Sequence, residues 1–122
     1  MPKKTKKVWP PEDPDITDLI DRLDALEERN NVRFEALFAK FFVTTEGYHY
    51  VRLCGEAHPR EGLEIGQHLK VAITLYDPMG RVVNTGSCYL SAPEKFYGFE
   101  AFQLDINATG EVVKIRVYPQ RA

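Results

Sequence analysis

Leu69-Lys70-Val71-Ala72-Ile73-Thr74-Leu75-Tyr76-Asp77-Pro78-Met79-Gly80-Arg81-Val82-Val83 is the stretch on which the reading of this chain turns. Leu69, Val71, Ile73 and Leu75 alternate with Lys70, Ala72, Thr74 and Tyr76, the period of a strand with one buried face. Pro78 presets the backbone for the second position of a type I turn, and the Asp77 carboxylate can accept from N–H groups just ahead of it. Gly80 can adopt the positive φ of a three-residue hairpin closed by a G1 bulge. The stretch therefore predicts a β-hairpin, with a second strand from Arg81 to about Leu90.

Further strands are expected on both sides. Tyr48-His49-Tyr50-Val51-Arg52-Leu53-Cys54 is strand-like, Phe102, Leu104 and Ile106 share one face of another, and Val113, Ile115 and Val117 alternate through a last strand ended by Pro119. Residues 32–43 are ambiguous. Phe34, Leu37, Phe38 and Phe41 have helical spacing, but Phe41-Phe42-Val43-Thr44-Thr45 is rich in β-formers. We read a long first strand turning at 45–47, with a second helix ending near Lys40 as the alternative. Residues 55–66 read as a loop with His58-Pro59-Arg60-Glu61-Gly62 at its tip, and residues 91–95 as a turn or crossover. Six to seven strands with regular turn signals point to a mainly β fold, an antiparallel sandwich.

The N-terminal quarter differs. Residues 1–29 hold six Lys/Arg and eight Asp/Glu, whereas the remainder holds ten of each. Residues 1–12 read as a disordered basic arm, a solvated tail, with docking of Trp9, beside Pro10 and Pro11, onto an apolar groove as the alternative. Asp13 and Pro14 suit a helix start, and Ile16, Leu19, Ile20, Leu23 and Leu26 form a stripe at helical spacing up to Asn30-Asn31. The expectation is an amphipathic helix over 13–30, followed by a β-sandwich domain over 31–122. Such a stripe needs a partner: another copy of the chain, the sandwich itself, or a foreign protein.

Composition narrows the function classes. A neutral body argues against nucleic-acid binding, which wants a basic face. No apolar run approaches the roughly 20 residues needed to span a bilayer. The lysines near Met1 are followed by acidic and proline-rich sequence, so a cytoplasmic location is expected. Cys54 and Cys88 read as free thiols, with a bridge between their two expected strands as the alternative. His49, His58 and His68 show no metal-ligand spacing, with His49 and Cys54 on opposite faces of one strand. Glu56, Glu61 and Glu64 with Arg60 read as solvated loop charge. No catalytic, cofactor or metal residues are therefore assigned.

From about Val51 to Val117 the chain resembles the FxLYD-type domain, a small immunoglobulin-like β-sandwich. Leu53-Cys54-Gly55-Glu56-Ala57, Ile73-Thr74-Leu75-Tyr76-Asp77 with Gly80-Arg81-Val82-Val83, and Phe102 after the Pro93-Glu94 turn carry the resemblance. Ile73 stands where the family name has Phe, and His58-Pro59-Arg60-Glu61 replaces the usual Asn-rich segment. The resemblance implies an immunoglobulin-like fold and a binding or accessory role, with no catalytic residues to carry over. Together these readings lead to a non-enzymatic interaction module that self-associates through its helix or docks on a larger complex. The alternative is a small-ligand or carbohydrate module using Tyr48, Tyr50, Tyr76 and Tyr118, with His58 and Arg60 of the 55–66 loop.

Overall fold

The computed structural model describes residues 9–91, 93 and 98–122. Most of the basic arm, and Ala92 with residues 94–97 of the expected 91–95 turn, lie outside the described residues. Among the described residues seven strands form: β1 (Ile20–Arg22), β2 (Val32–Val43), β3 (His49–Pro59), β4 (Leu69–Tyr76), β5 (Val82–Tyr89), β6 (Glu100–Asn107) and β7 (Lys114–Arg121). One short helix, α1 (Asp24–Arg29), separates β1 from β2. The strands make two sheets, ordered β1-β7-β4-β5 and β2-β3-β6, antiparallel throughout except where β1 runs parallel to β7. Phe34, Phe41, Val51, Leu53, Leu104 and Ile106 of the three-stranded sheet share one buried cluster with Leu69, Val71, Ile73, Leu75, Ile115 and Val117 of the other.

The hairpin forms as its turn chemistry requires. Asp77 Oδ1 accepts from the N–H groups of Met79 and Arg81, at 2.9 and 2.8 Å, and Gly80 has φ 79°. Its four alternating aliphatics, Leu69, Val71, Ile73 and Leu75, are all buried.

Residues 13–30 do not make one helix. They run instead as a strap along two strand edges. Ile16 N–H donates to Ala39 O at 2.9 Å, Phe41 N–H donates to Pro14 O at 2.8 Å, and Ala39 N–H donates to Thr17 Oγ1 at 3.1 Å, all on the edge of β2. A 3₁₀ turn (Thr17–Leu19) then delivers β1 to the edge of β7, where Ile20, Asp21 and Arg22 pair with Ile115, Arg116 and Val117. Helical propensity loses here for local and distant reasons. Asp13 and Asp15 bond backbone N–H groups two residues ahead, which competes with helix formation, and Ile16, Thr17 and Ile20 are β-branched. The open strand edges then supply partners for backbone groups that a helix would satisfy internally. Only the last six residues before Asn30 stay helical. Asn30 Nδ2–H closes that helix on Leu26 O, and Asn31 turns the chain with φ 54°.

The anchor of the strap is an ion pair between the buried Glu27 carboxylate and the partly exposed Arg22 guanidinium. Glu27 is fully buried, and its carboxylate accepts from Arg22 Nη2 at 2.6 Å, from Arg22 Nε at 3.1 Å and from Phe34 N–H at 3.0 Å. Arg22 Nη2 also donates to Phe34 O at 2.7 Å. Both main-chain groups of Phe34 are thereby capped, and β1, α1 and β2 are tied at one point.

The other departures are smaller. The long first strand forms, and the second helix near Lys40 does not. Between Glu35 and Phe38 the register slips, three steps on β2 facing two on β3 (Glu35↔Glu56, then Phe38↔Cys54), with Ala36 at φ 53°. This bulge allows Phe34 and Phe41, an odd number of residues apart, to face the same core, which in the sequence mimics a helix. β3 continues to Pro59, so the expected 55–66 loop is a strand end followed by a shorter connection. β7 runs past Pro119 to Arg121. The bond from Ala122 N–H to His68 O turns even-numbered residues of β7 toward β4, leaving the proline's missing donor on the edge beyond β1.

Two substitutions test these assignments. Glu27→Ala strips Arg22 and Phe34 N–H of their partner and should cost about 3 kcal/mol in urea unfolding, while exposed Glu28→Ala stays within about 0.5 kcal/mol. A Cβ at Gly80 meets no atom within 4 Å, so the cost of Gly80→Val, about 1–2 kcal/mol, is conformational and should appear as a lowered Tm without change in the sheet spectrum.

Candidate functional site

The outer face of β2-β3-β6 gathers most of the chemistry that the core does not use. Period-2 alternation turns Val51, Leu53 and Ala57 of β3 inward and Tyr50, Arg52, Cys54, Glu56 and His58 outward. Across the ladders these outward residues meet Phe42, Lys40, Phe38, Glu35 and Arg33 of β2, and Asn107, Asp105, Gln103 and Ala101 of β6.

One end of the face is aromatic. Phe42 and Tyr50 stack with centroids 5.2 Å apart, and the Arg52 guanidinium lies 4.9 Å from the Phe42 centroid. Asp105 holds that guanidinium in two bonds of 2.8 and 3.1 Å, and this pairing pushes the Arg52 pKa further up. Tyr48, in the turn before β3, is 70% exposed. In the middle, Phe38 stays 42% exposed beside a shallow hollow of about 380 Å³ lined by Ala36, Phe38, Cys54, Glu56 and Gln103 among others. The bulge shapes this hollow, and Gly55 makes room for the bulge. A Cβ at position 55 would lie 2.6 Å from Leu37 Cδ2 and 2.9 Å from Phe102 Cζ.

The other end is polar. His58 Nε2 lies 3.0 Å from Glu56 Oε1 and 3.2 Å from Glu35 Oε2. Arg33 Nε donates to the remaining Glu35 oxygen, Oε1, at 2.7 Å. The His58 ring stacks on Phe99 at 5.2 Å with 9° between planes.

Of the residues singled out from sequence, Tyr50 and His58 share this face, with Tyr48 at its rim. Tyr76 and Tyr118 do not join them. They stand on the outer face of the four-stranded sheet, where Arg116 lies 5.1 Å over Tyr76 and Tyr118 OH approaches Thr74 Oγ1 at 3.4 Å. Arg60 is exposed just past β3, its N–H donating to Asn31 O at 3.3 Å. The stripe is consumed internally: Ile16 is buried, Leu19 and Ile20 pack on the core, and Leu23 and Leu26 are half-buried. Trp9 packs edge-on against Phe41 at 4.9 Å, so this part of the arm is docked.

Sequence reasoning missed Glu35, Phe38, Phe42, Arg52 and Asp105 as members of one face. Strand parity in β3 was legible, but the β2 and β6 neighbours depend on register, and in β2 the bulge reverses parity. No helix of the described residues is long and apolar enough to cross a membrane. No protein-family model, curated protein or solved structure matches this chain.

The two thiols are unpaired, Cys54 on the outer face of β3 and Cys88 half-buried on β5 of the other sheet. Burial pushes both pKa values up, with Asp105 adding to the effect at Cys54 and Glu100 at Cys88. A raised pKa means less thiolate at a given pH. Alkylation of the folded chain near pH 8 should therefore be slower than that of the urea-unfolded chain, and should accelerate only at a pH above the usual thiol range. Equal rates in the two states would contradict this.

Proposed function

We propose that this chain is a non-enzymatic interaction module, an immunoglobulin-like β-sandwich that self-associates through the outer face of β2-β3-β6. The sandwich reading is supported by the strand pairings. β3 joins β6 in one sheet while β4 joins β7 in the other, so the chain crosses between sheets in the manner of an immunoglobulin-like Greek key. β1 occupies the edge beside β7 that a further C-terminal strand takes in such folds. The resemblance to the FxLYD-type domain belongs to the same proposal. Ile73-Thr74-Leu75-Tyr76-Asp77 ends β4 and enters the turn, and Gly55-Glu56 lies inside β3 instead of at a strand end.

The carrying observation for self-association is the aromatic row along this face: exposed Phe38, with the half-buried, stacked Phe42–Tyr50 pair under Arg52. Aromatic and arginine side chains supply most of the energy at interface centres. The same face carries Arg33, Lys40 and Arg52 against Glu35, Glu56 and Asp105. Equal numbers of each sign let a second copy, related by a two-fold axis, meet charge opposite to its own. The route through a helix over 13–30 loses its element, because the stripe already packs within the chain. A small-ligand role keeps the hollow beside Phe38 and loses Tyr76 and Tyr118 to the opposite face.

Sedimentation of the full chain should show a concentration-dependent dimer. Phe38→Arg should weaken it by about tenfold or more without lowering Tm, and Met79→Arg, exposed in the turn between β4 and β5 of the other sheet, should leave it unchanged. A chain that remains monomeric at high concentration, or a dimer indifferent to Phe38→Arg, would overturn the reading.

A further inference from the structure

We propose that Glu35, Glu56 and His58 form a binding site for a divalent first-row transition-metal ion, with Zn²⁺ the best match to the donor set. The three ligand atoms lie within 4.8 Å of one another, on two neighbouring strands held by the β2–β3 ladder. His58 Nε2 is 3.0 and 3.2 Å from the two carboxylate oxygens. Two metal–ligand bonds of about 2.1 Å meeting at tetrahedral or square angles span about 3.0–3.4 Å between donors. Both His58–carboxylate pairs therefore already stand at the separation that a shared ion requires.

The surroundings hold the donors in place. Arg33 Nε engages Oε1 of Glu35 and leaves Oε2 for the ion, the kind of outer hydrogen bond that orients a metal-binding carboxylate. Stacking against Phe99 sets the plane of the His58 ring. The ladder also places Glu35 directly opposite Glu56. Like charges at such a cross-strand pair are unfavourable unless a cation sits between them. Arg33 answers one of the carboxylates from the side, and the position between them is reached by the His58 nitrogen.

Ligand type sets the class of ion. One imidazole and two carboxylates suit Zn²⁺, Co²⁺ or Mn²⁺. Ca²⁺ and Mg²⁺ prefer all-oxygen shells of six or more, and no thiolate is in the set to select soft Cu⁺. Two carboxylates balance the charge of a divalent ion. Glu35, Glu56 and His58 are each half-buried, so solvent or an incoming donor can complete the shell. The site is built within one chain and does not rest on self-association.

The test is calorimetric titration of the full chain with ZnCl₂ at pH 7, alongside imidazole NMR. Saturable uptake of one ion per chain is expected, with the His58 ring resonances shifting and those of His68 unmoved. Glu56→Gln and His58→Gln should each weaken uptake by about tenfold or more, while His68→Gln leaves it unchanged. Glu35→Gln, nearly isosteric, repeats the test should His58→Gln alter the fold. Titrating the Phe38→Arg variant separates this result from the oligomeric state. Absence of saturable uptake would overturn the proposal. So would uptake that survives both Glu56→Gln and His58→Gln, or that is lost in His68→Gln.

Discussion

An edge strand leaves a row of backbone N–H and C=O groups that must find partners, and in this chain one short segment supplies them to both sheets. Pro14, Ile16 and Thr17 bond the edge of β2, and Ile20, Asp21 and Arg22 pair with β7. The segment is held at its far end by Glu27, whose buried carboxylate takes two bonds from Arg22 and one from Phe34 N–H. A buried carboxylate is tolerable only when its oxygens are bonded and its charge is matched, and here both conditions are met by residues of the strap and of the strand it protects. Among the described residues, no buried side-chain polar atom lacks a partner.

The second constraint is the extra residue in β2. A regular strand would turn Phe34 and Phe41 to opposite faces. The slip between Glu35 and Phe38 restores both to the core and swings Phe38 outward. Leu37 then needs space inside, which Gly55 supplies by having no side chain. The same slip opens the hollow beside Cys54 and leaves Glu35 opposite Glu56. Packing within the core thus determines the relief and charge of the face outside it.

Much of the β architecture was legible because its signals are local. Alternation in β4, β6 and β7 marks the buried side of each strand, and Asp77, Pro78 and Gly80 specify their own turn. The strap was misread because Ile16, Leu19, Ile20, Leu23 and Leu26 satisfy helical spacing. Apolar spacing reports which residues seek burial, and it does not report whether backbone partners come from within the segment or from a strand edge. The candidate face was partly legible. Tyr50 followed from parity in the strand expected over 48–54, whereas His58 reads from sequence as a loop tip and joins the face only because β3 runs on to Pro59, and separating both from Tyr76 and Tyr118 required knowing which sheet each strand joins.

By itself the sequence determined the alternating strands β4, β6 and β7, the Asp77–Gly80 turn and the buried side of those strands, since each depends on near neighbours and on backbone sterics. Only the tertiary structure decided that residues 13–29 serve as a two-edged strap, that β2 carries a bulge, and that Glu35 comes to rest against Glu56 and His58. Those outcomes depend on hydrogen bonds and register between segments far apart in the chain, and no periodicity within a single segment encodes them.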